Sequence, residues 1–194
     1  MRALEERHAA RVGEITLAAY DASGSRIEGD YRDWLGDPRA RVPYATEVLV
    51  AVDDDTDAPL GTVTFVLPGD EEFEHPEREG DAGFRMLAVA PGAQGRGVGA
   101  ALIDACITRA REAGAHRMVI SSMHWMTRAH GMYARRGFVR RPDLDVAFPA
   151  GHAFIFTLDL SDEAEVRFGP PGPAREPLWY EDAWAEGNPV DCGG

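Results

Sequence analysis

The sequence predicts an α/β domain: a mixed sheet with a strand–helix–strand–helix unit at its centre and hairpins on either side. Three observations predict it. The apolar run Met86 to Ala90 is short and closed by Pro91-Gly92, which marks a buried strand rather than a helix. Gly95, Gly97 and Gly99 then lead into a helical pattern, and a second strand and helix follow between Arg117 and Arg136. At 194 residues the chain is long enough to bury one substantial core.

Taken in order, Leu4 to Tyr20 carries apolar residues at Ala10, Val12, Ile15 and Ala18-Ala19 between charges, a helical period. After Gly24 and Gly29, Asp30 to Leu35 forms a second short helix ended by Gly36-Asp37-Pro38. Glu47 to Val52 is a strand, and Asp53 to Asp57 a solvated turn into the next strand, Leu60 to Leu67. That acidic turn lacks the glycine and distal glutamate of a calcium-binding EF-hand. Pro68 to Asp81 is polar, acidic and holds Pro76, so it is expected to be a loop over the sheet edge. Gly83 to Val89 is the strand entering the glycine-rich turn. The helix Gly97 to Ala113 should bury Val98, Ala101, Leu102, Ala105 and Cys106, and Gly114 ends it. Arg117 to Ser122 is a strand, Thr127 to Arg136 a helix closed by Gly137, and Phe138-Val139 with Ala153 to Leu160 supply the last strands. From Ser161 the composition shifts. Pro170-Pro171-Gly172-Pro173 forbids long regular elements, yet Leu178, Trp179, Tyr180 and Trp184 are too apolar for an idle tail. The division expected is a domain over residues 1–160 and, over 161–194, an extended arm docking its aromatics on the body or on a second subunit of a homodimer.

Bulk properties restrict the partners. The net charge of −13 argues against nucleic acid and anionic membrane. The charge is also unevenly spread: Asp21 to Gly83 has 17 acidic against 5 basic residues, Phe84 to Arg141 has 2 against 10, and the stretch from Pro142 onward has 11 against 2. The positive third draws a polyanionic ligand, and the acidic flanks are either a solvated surface or a field that favours an amine. The first twenty residues are charged and no apolar run approaches membrane-spanning length, so neither signal peptide nor transmembrane segment is expected and the location is read as cytoplasmic. Cys106 and Cys192 give no disulfide framework, and the six histidines have no metal-ligand spacing, so no metal is expected.

Glycines at Gly95, Gly97 and Gly99 leave backbone N–H groups open to an anion at a helix N-terminus, which implies a ligand with phosphate. A Walker A loop is excluded because the chain contains no lysine. A dinucleotide fingerprint fits formally as Gly95-x-Gly97-x-x-Ala100, but the acidic residue expected about 20 positions on is absent from His116 to Met123. The third reading is specific. Gln94-Gly95-Arg96-Gly97-Val98-Gly99, preceded by Leu87-Ala88-Val89-Ala90-Pro91, resembles the acyl-CoA loop of the GNAT superfamily of N-acetyltransferases, and Ala129-His130-Gly131-Met132-Tyr133-Ala134-Arg135-Arg136-Gly137-Phe138 resembles that family's AxxLYxRxGF element.

The resemblance covers roughly residues 1 to 160 and implies a mostly antiparallel sheet splayed at the cofactor strand, flanked by helices. It implies acetyl-CoA as cofactor, held by Leu87, Ala88, Val89, Gln94, Gly95, Arg96, Gly97, Val98, Gly99 and Ala100. The N–H of Val89 would face the thioester carbonyl, and Arg96 would pair with a phosphate. Tyr133 is the implied acid: a phenol with a pKa of about 10 stays protonated at neutral pH, and a thiolate of parent pKa about 8.5 accepts its proton. The plain alternative is a core tyrosine. The early helices would wall the acceptor cleft, which makes Tyr31 and Trp34 substrate candidates or packing aromatics. Arg85 shares strand parity with Gly83, faces the same cleft and could pair with a substrate carboxylate. Ser121 and His124 complete the substrate candidates.

Two departures from the family pattern stand out. Gly83 falls where relatives often carry a glutamate base, leaving Glu79, Asp81, Ser121, Ser122, His124 or a water relay for that task. Met126 replaces a frequent asparagine. The function implied is acetyl transfer to a small-molecule or peptide amine; the rival is a GNAT-fold protein that binds acyl-CoA without catalysis.

Overall fold

The computed structural model describes residues 1–25, 27–67, 80–148 and 151–161. Strand β1 is Arg2–Ala3, helix α1 Glu6–Ala22, α2 Gly29–Gly36, β2 Glu47–Val52, β3 Pro59–Val66 and β4 Asp81–Val89. There follow α3 Val98–Glu112, β5 Arg117–Met123, α4 Thr127–Ala134, β6 Val139–Arg140, β7 Val146–Phe148 and β8 Gly151–Asp159. The strands form one sheet in the order β1-β2-β3-β4-β5-β8-β6, with β7 paired to β8. Every pairing is antiparallel except β4 with β5. Those two strands are joined through α3, and a helical crossover returns a chain parallel to where it began.

The parallel pair is brief. Only Asp81, Ala82 and Gly83 face Arg117, Met118 and Val119, although β4 continues to Val89 and β5 to Met123. At its root the buried Arg117 donates from Nε to Asp81 Oδ1 at 2.9 Å and from a second nitrogen to Oδ2. Further along, Thr62 faces Ala88 and Thr64 faces Arg85, so β4 holds one residue more than β3 over the same stretch. Such a bulge bends its strand and strengthens its twist. Met86 absorbs it at φ +52°, a left-handed conformation that a long side chain adopts at a cost.

Helix α3 packs on one face of the sheet, where Leu102, Ile103 and Cys106 meet Leu49, Phe65, Phe84, Met118 and Ile120, and Tyr133 and Phe138 join the same cluster. On the other face Tyr31 and Leu35 of α2 pack with Val66, Met86 and Met123. Helices α1 and α2 touch through bare backbone: a Cβ added at Gly13 would lie 1.9 Å from the Gly36 carbonyl oxygen.

The expected elements are present, with four corrections. Strand β4 begins at Asp81, so Asp81 belongs to the sheet and not to the expected loop. Strands β1 and β7 are additions, too short to carry a sequence period. Helix α3 buries Leu102, Ile103, Cys106, Ile107 and Ala110 and leaves Ala101 exposed, because isoleucine removes more apolar area from water than alanine. The rest of the Pro68–Asp81 loop, apart from Gly80, lies outside the described residues, as does the arm after Ser161 with Trp179, Tyr180 and Trp184.

The Asp81–Arg117 pair gives a stability test. Arg117→Met leaves a buried carboxylate without its cation and should cost about 3–5 kcal/mol, whereas Asp81→Leu combined with Arg117→Met should recover most of that loss. Denaturant unfolding of the two variants beside the parent measures both.

Candidate active site

Where β4 and β5 part, a cavity of about 1050 Å³ opens between the end of α1, the bulged half of β4, the loop before α3 and the first turns of α4. Its floor at one end is the glycine-rich loop. Gly95 and Gly97 have φ of +78° and +83°, and Gly97 is the residue that starts α3, with no side-chain cap and no acid in the first turn. The Ala101 N–H already bonds the Gly97 carbonyl, so the amides of Val98, Gly99 and Ala100 are the ones left at the helix start. A Cβ at Gly95 or Gly97 would meet nothing within 4 Å, so both backbones present an open surface to a ligand. At Gly99 it would stand 3.4 Å from Met132 Sδ and from Val89 Cγ2, which is how closely α3 packs on β4 and α4. These features fit a pyrophosphate.

Side chains reinforce that end. Arg128 Nη1 donates to Gln94 Oε1 at 3.2 Å and ties the loop to α4. Arg135 and Arg136 line the same cavity, Arg136 held by Asp104 through Nε at 2.6 Å. Arg96 does not line it. Its guanidinium is exposed and stands 3.9 Å from the Asp53 carboxylate on the outer side of the loop. Sequence reasoning picked Arg96 because it sits inside the motif and passed over Arg128, Arg135 and Arg136, for which the concentration of positive charge between Phe84 and Arg141 was the available signal.

The edge of β4 adds a directed donor. Ala90 N–H bonds the Leu60 carbonyl at 2.8 Å, and in an antiparallel ladder bonded pairs alternate with non-bonded ones. The next pair, Val89 with Gly61, is therefore non-bonded, and the Val89 amide points away from β3 into the space that β5 has left. Leu87 and Val89 line the cavity from that edge; Ala88 is buried on the opposite face with Ile15.

Across from that edge stands Tyr133. Its ring packs against Phe84, Phe138 and Phe156 at centroid distances of 5.9, 5.9 and 5.5 Å, yet it also lines the cavity. It is a core residue and a cavity residue at once. Burial pushes its phenol well above the usual tyrosine range, and the Ser122 hydroxyl beside it works in the other direction. Ser121 and Ser122 line the same wall.

The remaining candidates are only partly brought together. Arg85 lies on the cavity wall, 8 % exposed, and the bulge sets Met86 beside it facing the α1 and α2 side. Tyr31 and Trp34 do not line the cavity: they stack on each other, centroids 5.8 Å apart, in the apolar layer of α2. Tyr20 of α1 takes the place expected for them, a residue read from sequence only as a helix end. His124 also stays outside, its N–H on the His152 carbonyl at 2.9 Å and its ring against Trp125, which does line the cavity. Asp81 is committed to Arg117 and cannot serve as a base, and Glu79 lies outside the described residues. Among the described residues no group of His, Cys, Asp and Glu could hold a metal ion, and no helix is long and apolar enough to cross a membrane.

The burial of Tyr133 makes a spectroscopic prediction. In a difference titration between the parent and Tyr133→Phe, the phenolate band of this residue should be missing up to and beyond pH of about 10, where an ordinary tyrosine is half ionised.

The sequence matches the model of the Acetyltransferase (GNAT) family over residues 10–138. No curated protein matches it. An acetyltransferase of the GNAT family from Staphylococcus aureus Mu50 has a similar structure, with a TM-score of 0.65 at 14% identity over 82% of this chain and 98% of the other. A GCN5-related N-acetyltransferase from Kribbella flavida gives 0.58 at 22% identity over 82% and 96%. A GNAT family acetyltransferase from Brucella melitensis, solved in complex with acetyl-CoA, gives 0.55 at 26% identity over 90% and 91%. With most of its length inside the family model, its one parallel strand pair splayed open and a glycine-lined helix start at the gap, this chain belongs to the GNAT acetyltransferase family.

Proposed function

We propose that the chain is an acetyl-CoA-dependent N-acetyltransferase that carries an acetyl group to a primary amine of a small molecule or a peptide N-terminus, directly, with both substrates bound together. One observation carries the reading: the gap between β4 and β5 has the Val89 amide on one side and the Tyr133 phenol on the other, with the free start of α3 at its end. Residues 1–160 would form the catalytic domain and residues 161–194 an appended arm.

Acetyl-CoA supplies the acyl group already activated as a thioester. The amides of Val98, Gly99 and Ala100, with Arg128, Arg135 and Arg136 close by, would hold the phosphates, and the dipole of α3 adds to that hold. Arg96 would reach a phosphate only by leaving Asp53. The Val89 N–H would donate to the carbonyl oxygen as negative charge gathers on it. Tyr133, kept protonated by its burial, would give its proton to the sulfur as the carbon–sulfur bond breaks. No carboxylate among the described residues lines the cavity, so the amine's proton would leave through water, a route that Ser121 and Ser122 could support. The rival, binding without catalysis, draws its support from Gly83, buried in β4 where relatives often have the glutamate.

Two variants test the reading. Gly97→Asp should abolish acetyl-CoA binding, because it places a carboxylate against the amides that hold phosphate; the position is open and aspartate tolerates positive φ, so the fold should survive. Calorimetric titration with acetyl-CoA beside a circular dichroism spectrum checks both halves. Tyr133→Phe should lower kcat about 10²- to 10⁴-fold with little change in acetyl-CoA affinity, the worth of a positioned acid. If Tyr133 is only a core residue, kcat stays normal and stability falls instead, by the roughly 1 kcal/mol of one hydrogen bond, which shows as a lower thermal midpoint.

A further inference from the structure

The gap between β4 and β5 passes through the sheet, so the cavity draws its walls from both of the layers that the sheet separates. On the α3 side it is lined by Phe84 and Tyr133, members of the large apolar cluster, with the glycine-rich loop at the end. On the α2 side the second apolar layer, which holds Tyr31, Leu35, Val66 and Met123, comes to the surface inside the cavity through Met86 and through Tyr20, Trp125 and Met126 at its fringe. Among the described residues every charged side chain on the cavity wall is an arginine. The α2 side thus offers apolar surface and no carboxylate for a second cation.

Backbone hydrogen bonds in the turn after β5 set Trp125 and Met126 in that wall. The Met126 N–H bonds the Met123 carbonyl at 2.9 Å, the Thr127 N–H bonds the Trp125 carbonyl at 2.8 Å, and the Met126 carbonyl accepts from Ala129 and His130 at 3.0 and 3.2 Å. The His124 ring stands at 81° to the Trp125 ring with centroids 4.9 Å apart, which braces the indole from one side. Both side chains are half-buried and both line the cavity. A tryptophan beside a methionine joins a rigid apolar surface to an adaptable one, and apolar walls with a few placed polar groups are how ligand pockets are built. The donor's phosphates belong at the glycine-rich loop, so the amine must reach the thioester from the side that the donor leaves open. That side is the α2 side.

Resting on the acetyltransferase reading above, we propose that the acceptor is a monoamine carried next to a compact apolar group, aromatic or branched aliphatic, and that Trp125 and Met126 determine specificity by covering that group. Polyamines and other polycations are disfavoured, because a second ammonium would be stripped of water against apolar surface with no carboxylate to receive it. Contact with the apolar group is the same before and during acyl transfer, so it acts on KM rather than on kcat.

The test assays release of free thiol from acetyl-CoA with 2-phenylethylamine, ethylamine and spermidine, and with dipeptides beginning in Phe, Gly and Lys. In whichever source is used, free amine or peptide N-terminus, the apolar member should exceed the small one by about 10- to 100-fold in kcat/KM, the worth of burying one large apolar group, with the difference in KM. Met126 begins α4 with no side-chain cap, and a carboxylate suits a helix start, so Met126→Glu should fold. It should lower kcat/KM for the apolar members about tenfold or more, raise it for spermidine and leave acetyl-CoA affinity unchanged, whereas Met126→Leu should keep the parent's ranking. Equal use of all members, preference for ethylamine or spermidine in the parent, or a folded Met126→Glu with an unaltered ranking overturns this proposal and leaves the acetyltransferase reading standing. If nothing is acetylated the acetyltransferase reading fails, and calorimetric titration of the same compounds into the CoA-saturated protein still decides this one: tighter binding of the apolar members, weakened in Met126→Glu, supports it, and equal or absent binding overturns it.

Discussion

The structure depends on the parting of two hydrogen-bonded strands. A sheet is stable because each interior strand finds a partner on both sides, and beyond Gly83 strand β4 has β3 on one side only. Each later N–H and C=O on the β5 side must be met by something other than a strand. The one parallel pairing in the sheet is also the one that opens, and α3 starts beyond the C-terminal end of its first strand. In α/β proteins that is where the crevice for a ligand forms. The unpaired strand edge, the free helix start and the cavity are three consequences of one topology.

Keeping that gap open has energetic costs that the surrounding residues meet. Met86 is held in a left-handed conformation so that β4 can bulge away, and strain of this kind persists only where the neighbours over-determine it. Here the neighbours are the Asp81–Arg117 pair at the root of the split and the apolar packing of Met86 with Tyr31, Leu35 and Met123 on the α2 side. Phe84 and Tyr133 fix the other side by ring contact. A phenol set in such a wall moves little, which is what a proton donor aimed at one sulfur requires. The same packing that makes Tyr133 look like an ordinary core residue would hold it in place for the proposed proton transfer.

Much of the fold was legible because its signals are local. The run Met86 to Ala90 and the turn Pro91-Gly92 mark a strand end with no help from the rest of the chain, and the glycines at Gly95, Gly97 and Gly114 mark the helix that follows. The glycine-rich loop proposed to hold the cofactor was legible for the same reason, being one continuous stretch, whereas Arg128, Arg135 and Arg136 reach it only through the fold. The other end of the cavity is assembled from α1, β4 and the residues after β5, and no periodicity links Tyr20, Arg85 and Trp125. Tyr31 and Trp34 were the natural guess for that wall, but the bulk of α2 faces the apolar layer, and its two aromatics satisfy each other by stacking. Strands β1 and β7 escaped because runs of two and three residues carry no period to read. Asp81 was misplaced because an acid beside a glycine reads as a loop, and only the fold brings Arg117 to it across 36 positions.

The charge distribution raises an apparent contradiction, since a chain of net charge −13 is expected to repel a polyanion. Distance and dielectric resolve it. Charges in water are screened beyond about 8 Å at physiological ionic strength, and no acid among the described residues lines the cavity, so the net charge says little about the potential inside it. The arginines that line it act across a few ångströms and partly out of water, where each counts for more. Arg128, Arg135 and Arg136 thus set the local potential at the end of the cavity nearest the glycine-rich loop. The proposed reaction needs that division: a polyanionic donor answers to charges a few ångströms away, while the net charge of the chain is screened by salt before it reaches that depth.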